Sequence, residues 1–189
     1  PDLMRIAALS GMRIEEICQL RVRDCTDGIF GVHYGKTDNA RRSIPIHSDL
    51  KATIEARCKG KDATDYLFGE LPPVPKSREG RSDPAVKRFT RYRREMKVDE
   101  RPNGKAKSNV DFHSFRRWFI LKARDAMHGS GGAYEPWTLA EIAGHDDDGV
   151  RRFLNLTMSH YPGAASEAAK RACVEAVRLP PRPAAAPAP

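Results

Sequence analysis

The chain has 189 residues, of which 31% are charged, and its formal net charge is +8 at neutral pH. This length is sufficient for one domain with a proper hydrophobic core, and no apolar run approaches a membrane span, which excludes a helical membrane-spanning protein. The positive charge predicts an anionic partner, and nucleic acid is the commonest anion that matches so diffuse an excess. A basic protein without such a partner is the alternative.

The four cysteines indicate the cellular compartment, and the two chain ends indicate the domain organisation. The cysteines form no CxxC pair and are too few for a disulfide scaffold, so we expect free thiols in the reducing cytoplasm. We expect one domain over residues 1–178, followed by a flexible tail rich in Pro and Ala over residues 179–189. The chain begins at Pro1 without Met or a leader segment, so we expect a fragment that lacks an N-terminal domain.

Two short helices are predicted at the start of the chain. Residues 2–9 are apolar at helical spacing and Gly11 then supplies a stop, while residues 12–20 form the second helix. Arg13 and Glu16 are three residues apart and therefore share one helix face. An arginine oriented by a carboxylate in this way is a candidate oxyanion ligand, and an ordinary surface ion pair is the alternative.

A β-hairpin and a helix are predicted next. Residues 28–34 and 42–46 each alternate in hydrophobicity around a polar tip, and Lys36 lies where the first strand ends. Lys36 could therefore reach a site, although a lysine at a hairpin tip is usually solvated. Ser48 is predicted to cap a helix that ends at Cys58.

A strongly basic helix is predicted over residues 84–97, after the cap and first turn Ser82-Asp83-Pro84. Its apolar positions have core spacing and comprise Ala85, Phe89, Tyr92 and Met96. The other faces carry a basic set consisting of Lys87, Arg88, Arg91, Arg94 and Lys97. This density of one charge predicts contacts with the DNA backbone, and a solvated basic face is the alternative.

The stretch over residues 111–161 carries the strongest chemical signal. A helix over residues 114–127 is predicted to place Arg116 on its outer side and His113 at its N-terminus, where free N–H groups and the helix dipole favour an anion. Thr138 and Glu141 form a capping-box pattern for a short helix that Gly144 stops. His145 follows directly, and the chain then passes an aspartate triplet before reaching Tyr161.

The aspartates at positions 146–148 match neither a zinc pattern nor a calcium loop, so no metal site is predicted. A short helix is expected over residues 150–156. An Ala-rich amphipathic helix is expected over residues 164–177.

Five motifs in this order resemble the catalytic domain of the tyrosine recombinases, the phage integrase family. They are Gly11-Met12-Arg13-Ile14-Glu15-Glu16, Gly35-Lys36, His113-Ser114-Phe115-Arg116, Ala143-Gly144-His145 and Tyr161. The resemblance covers nearly the whole chain up to about Val177. It implies an α+β fold, mostly helical, with a small antiparallel sheet, and a domain that embraces DNA. It also implies that the missing N-terminal part is the core-binding domain.

The resemblance implies a role for each matching residue. Tyr161 is the nucleophile that forms a 3′-phosphotyrosyl link, and Arg13 and Arg116 hold the non-bridging phosphate oxygens. Lys36 is the acid for the leaving 5′-oxygen, His113 handles protons near the nucleophile, and His145 hydrogen-bonds the phosphate. Glu16 supports Arg13. The segments over residues 127–136 and 145–161 are longer than in many members.

The resemblance implies double-stranded DNA as partner, no metal, no cofactor and no ATP. It also implies a homotetramer on DNA, acting at the nucleoid, in which the helix over residues 164–177 is a candidate for exchange between subunits; packing against its own domain is the alternative. Two other functions remain open from the residues alone. A type IB topoisomerase uses a similar set of side chains, and a non-catalytic DNA-binding remnant would share the basic helix.

Overall fold

The computed structural model describes residues 1–33, 41–73, 80–101, 108–127, 129, 131–144 and 164–181. Within these ranges the chain is α+β and mostly helical, as predicted. The elements are α1 (Asp2–Ser10), α2 (Ile14–Gln19), β1 (Ile29–Val32), β2 (Arg42–Pro45), α3 (Lys51–Cys58), α4 (Asp83–Glu95), α5 (His113–Met127), α6 (Pro136–Ala143) and α7 (Glu167–Glu175), with 3-10 turns at Val22–Asp24 and Ser48–Leu50. None of the described helices is long and apolar enough to cross a membrane.

The predicted hairpin strands are confirmed as a two-stranded antiparallel sheet. β1 pairs with β2 so that Phe30 lies opposite Ile44, and both side chains are fully buried. Buried residues therefore alternate along β1 and from Arg42 to Ile44 of β2, as the sequence indicates, while Pro45 at the end of β2 is also buried. The tip of the hairpin, including Lys36, lies outside the described residues.

Helices α1 and α5 form the centre of the core. The last turn of α1 contributes Ile6 and Leu9, both fully buried, and α5 packs along it. Helix α1 ends at Gly11, whose φ of 68° is left-handed, as the predicted glycine stop requires. A Cβ on Gly11 would lie 2.5 Å from the Phe119 ring, so the ring of α5 occupies the space that a side chain would need.

Helix α7 confirms the helix predicted near the end of the chain, and it packs against its own chain. Cys173, Val174 and Val177 are fully buried, and β2 and α6 form the surface that they cover. Lys170 reaches Glu141 of α6 at 2.6 Å, and the His47 ring bonds the carbonyl of Val177 at 2.9 Å. Of the two predicted arrangements, this structure therefore shows the one within a single chain.

The prediction of which α4 side chains face the core is partly wrong. Tyr92 and Met96 are 46% and 57% exposed, although their spacing predicts a core position. The aromatic contacts of α4 come from Phe89, whose ring meets those of Phe112 and Phe115 edge-on at 5.3 and 5.6 Å. Beyond Phe89, α4 lines a groove that is open to solvent.

In this part of α4 the buried side chain is Arg93, which pairs with Asp99 beyond the helix end. The five residues of the predicted basic set are exposed, as expected. The C-terminal half of the helix therefore buries a paired arginine, while the predicted apolar residues Tyr92 and Met96 are exposed.

Two predicted caps are also wrong. The turn before α3 is capped by the His47 ring, which accepts the Asp49 N–H at 3.0 Å, while the Ser48 hydroxyl donates to Glu175 of α7. Helix α6 begins at Pro136, so Thr138 lies inside it and is buried. In both places a side chain that the local pattern assigns to the cap makes a tertiary contact instead, the Ser48 hydroxyl with Glu175 and the Glu141 carboxylate with Lys170.

We expect Gly11→Ala to destabilise the fold by about 3 kcal/mol, because strain at positive φ adds to overpacking against Phe119. Gly60→Ala is the matched control, since Gly60 has a φ of 73° and a Cβ added there would meet no atom within 4 Å. It should cost about 1 kcal/mol, from strain alone. Urea unfolding of both variants measures the difference, and equal losses would contradict the packing role of Gly11.

Candidate functional site

Arg116 lies at the end of the first turn of α5 and is only 2% exposed. Its guanidinium donates to the carbonyl of Gly11 at 2.7 Å and to the carbonyl of Ala143. These carbonyls belong to the C-terminal ends of α1 and α6, where the last turn of a helix leaves acceptors unpaired. The prediction that Arg116 lies on the outer side of its helix is therefore wrong, because two distant helix ends enclose it.

Arg13 and Glu16 pair as their spacing predicts. The Arg13 Nη1 lies 2.9 Å from Glu16 Oε1, and the main-chain N–H of Arg13 donates to Oε2 at 2.8 Å. The Arg13 side chain is 44% exposed, whereas that of Glu16 is 3% exposed. The pair is therefore more than a surface ion pair, since a buried carboxylate orients a guanidinium that reaches solvent.

Arg42 of β2 completes this cluster, and the sequence reading missed it. Its Nη1 and Nη2 donate to Glu16 Oε1 and Oε2 at 3.1 and 2.8 Å, and its Nε donates to the carbonyl of Ile142 at 2.8 Å. The side chain is 2% exposed. One signal could have revealed it, because Arg42 has the same strand parity as the inward-facing Ile44 and Ile46.

The C-terminal end of α6 holds all three arginines. The consecutive carbonyls of residues 142, 143 and 144 accept from Arg42, Arg116 and Arg13 respectively, the last at 3.4 Å. The negative end of a helix dipole favours cations at this place. Gly144, left-handed with a φ of 61°, ends the helix as predicted, and a Cβ there would lie 2.8 Å from Arg42 Nη1.

His113 is the first residue of α5, as predicted, and its ring is exposed. Loss of hydration and then the charge of Arg116 lower its pKa below the usual 6.5, although Asp111 opposes the shift. The ring is therefore neutral at pH 7 and can accept a proton. Burial and the neighbouring Arg13 lower the pKa of Arg116 to about 9, so this guanidinium stays charged at pH 7.

Arg13, His113 and Arg116 line one cavity of about 450 Å³. The structure thus brings together three of the six predicted catalytic residues. Arg117 and Arg124 also line the cavity, and the sequence reading missed them although their spacing from His113 places them along one face of α5. No residue of α4 lines it. Lys36, His145 and Tyr161 lie outside the described residues.

Among the described residues, no cluster of three or more His, Cys, Asp or Glu side chains could hold a metal ion. The polar side chains that line the cavity are four arginines and His113. The planar guanidinium forks of Arg13 and Arg116 beside a neutral imidazole suit a tetrahedral oxyanion. A basic α+β chain with such a site has the features of a protein that handles phosphate groups of nucleic acid.

The model of the phage integrase family matches residues 2–148, more than half of the chain. The chain therefore belongs to this family, the tyrosine recombinases, whose members act in DNA recombination and integration. The match includes Arg13, Lys36, His113, Arg116 and His145 and ends before Tyr161. No curated protein and no solved structure shows significant similarity to the chain.

Glu16 should make stability depend on pH. Burial raises the pKa of its carboxyl, but the hydrogen bond and charge of Arg42, helped by Arg13, outweigh burial and hold the pKa below the usual 4.5. The stabilisation is therefore present above about pH 4.5 and lost as the pH falls through the lowered value. Glu16→Gln should remove this dependence and cost about 3–5 kcal/mol at pH 7, because Arg42 then lacks its counter-ion.

Urea unfolding between pH 3 and pH 7 measures this effect. Glu55→Gln is the matched control, since it makes the same change in net charge at an exposed position of α3. We expect the control to keep the acid dependence of the native chain. A Glu16→Gln variant with native stability at pH 7 would contradict a buried ion pair at this site.

Proposed function

We propose that this chain is the catalytic domain of a site-specific DNA recombinase that breaks and rejoins DNA through Tyr161. The supporting observation is the placement of Arg13 and Arg116 in one cavity with His113, each guanidinium fixed by buried partners. Membership of the phage integrase family gives the class of reaction, and the geometry supports competence of the phosphate site.

The two arginines would bind the non-bridging oxygens of the scissile phosphate. Negative charge on these oxygens grows in the five-coordinate transition state, so fixed cations at this position lower the barrier. Arg116 is already held by two main-chain carbonyls and needs little reorganisation. Arg13 is partly exposed and held from behind by Glu16, so its outer edge can meet the substrate.

Tyr161 would supply the nucleophile. At a pKa of about 10, only roughly one phenol in a thousand is ionised at pH 7, so a base and nearby positive charge are needed. The neutral His113 ring accepts the phenol proton, the phenolate attacks phosphorus, and the bond to the 5′-oxygen breaks. Lys36 protonates the departing 5′-oxygen, and His145 hydrogen-bonds the phosphate. The phosphotyrosyl link retains the bond energy, so an incoming 5′-hydroxyl can reverse the step without ATP or a metal ion.

The basic set on α4 would contact the DNA backbone away from the cavity. All five side chains are exposed, and Lys87 also pairs with Asp83 at 2.6 Å. We further propose a homotetramer on DNA. Residues 164–177 remain the candidate exchange element, and exchange would have to break the contacts of Lys170 and Val177 within the chain.

Covalent trapping tests the reaction. Native protein is incubated with a pool of nicked duplexes of randomised sequence, and protein–DNA adducts are separated under denaturing conditions. We expect adducts with the native chain and none with Tyr161→Phe, which lacks the attacking oxygen but should bind DNA normally. The exposed Tyr92→Phe is the matched control and should form adducts at the native rate.

Adduct trapping and a supercoil-relaxation assay together separate the alternatives. Adducts that persist in Tyr161→Phe would refute this nucleophile. DNA binding without any adduct from native protein would indicate a non-catalytic binder. Relaxation of supercoils by a monomer, without paired sites, would indicate a topoisomerase.

The fall of the cleavage rate at low pH, its acid limb, should reflect protonation of His113. Because the His113 pKa is lowered, the neutral base persists below pH 6.5, and the second-order rate constant should fall only at still lower pH. His113→Ala should be slower by about 10²–10⁴-fold and lack this limb. Single-turnover rates between pH 5 and pH 8 measure both effects. An unchanged acid limb in His113→Ala would assign the proton transfer to another group.

A further inference from the structure

We propose that Arg42 is a positioning residue, which holds Glu16 and the C-terminal end of α6 so that Arg13 and Arg116 face the phosphate together. The inference rests on the proposed function for its chemical outcome. Its structural basis is independent of that function, because the Arg42 side chain is buried and bonds both Glu16 and Ile142. Arg42 does not line the cavity, so it would act through its neighbours.

The Arg42 side chain fixes the carboxylate of Glu16. Arg42 engages both carboxylate oxygens at 3.1 and 2.8 Å, and this fork fixes the plane of the carboxylate. The Arg13 side chain then reaches only Oε1, through Nη1. Without the Arg42 fork, Glu16 could turn and take the Arg13 guanidinium with both oxygens. That movement would draw Arg13 away from the cavity.

Arg42 also offsets the negative charge of Glu16. Glu16 lies behind Arg13 and would neutralise it if the carboxylate had no other partner. Because Arg42 is buried beside the carboxylate and opposes its charge, the positive charges of Arg13 and Arg116 both remain for an incoming anion. The low polarity of the surroundings makes this compensation stronger than at the surface.

Arg42 also holds the C-terminal end of α6. Arg42 bonds the carbonyl of residue 142, and the next two carbonyls bond Arg116 and Arg13. A rotation of this helix end would therefore displace both phosphate ligands at once. Gly144 allows Arg42 to lie against the helix end, since any Cβ there would meet its guanidinium within 3 Å. Arg42 thus couples the sheet to the anion site.

The variants are Arg42→Met, which removes fork and charge, and Arg42→Lys, which keeps the charge but loses the fork. The matched control is Arg81→Met. Arg81 is another buried arginine, 1% exposed, and it bonds the carbonyls of Cys18 and Pro72, away from the cavity. Both Met variants should lower the Tm, so loss of stability alone cannot separate them.

The first readout is anion binding, with inorganic phosphate as the probe. The reference is the part of the phosphate-induced rise in Tm that Arg13→Ala abolishes. We expect Arg42→Met to lose this Arg13-dependent rise in Tm and Arg42→Lys to keep about half of it or less. Arg81→Met should keep all of it. A full phosphate response in Arg42→Met would overturn the proposal. If that variant does not fold, a full response in Arg42→Lys would overturn it.

The second readout is the rate of adduct formation at saturating nicked DNA, below the Tm of every variant. A misplaced phosphate ligand should slow Arg42→Met by about 10- to 100-fold, while the Kd for DNA changes by less than about twofold. Arg81→Met should react at the native rate. Native rates in both Arg42 variants would refute the positioning role. Absence of adducts from native protein, with the phosphate response lost in Arg42→Met, would refute the recombinase and leave the role of Arg42 supported.

Discussion

The buried carboxylate of Glu16 sets the geometry of the site, because a charge removed from water must be matched by its neighbours. Two guanidinium groups meet this requirement from opposite directions, one inside the core and one at the cavity. Arg42 satisfies the carboxylate from within, and Arg13 reaches it from the surface. The Glu16 carboxylate therefore links a β-strand, a helix N-terminus and the cavity wall. Its loss would free all three.

Helix ends supply the second half of this arrangement. α1 and α6 both stop at left-handed glycines, and carbonyls at both ends accept from Arg116. Such carbonyls lack partners within a helix, so a buried arginine both satisfies them and becomes rigid. In the proposed role of Arg116 as a phosphate ligand, a side chain that is rigid before substrate arrives would lose less entropy on binding than a flexible surface arginine.

Helix α4 illustrates how a regular pattern can mislead. Its period predicts a core at Tyr92 and Met96, yet both are exposed, and the helix contacts the core through Phe89 and Ala85 near its N-terminal half. Periodicity reports which side chains share a face, but it does not report how far the neighbouring surface extends. The exposure of the basic set on the same helix was predictable, because charged side chains need only contact with solvent and no particular neighbouring surface.

The sequence predicted the class of fold, most element positions, the glycine stops, the Arg13–Glu16 pair, the place of His113 and the family. These features depend on local spacing and on motif order. Only the tertiary structure could show that Arg116 is buried and that Arg42 shares Glu16 with Arg13. The partners of Arg116 lie 105 and 27 residues away along the chain. Those of Arg42 lie 26 and 100 residues away. The packing of α7 against β2 and α6 within the chain is likewise seen only in the structure. The physical reason is that main-chain carbonyls look alike in every sequence, so which arginine finds which helix end depends on packing.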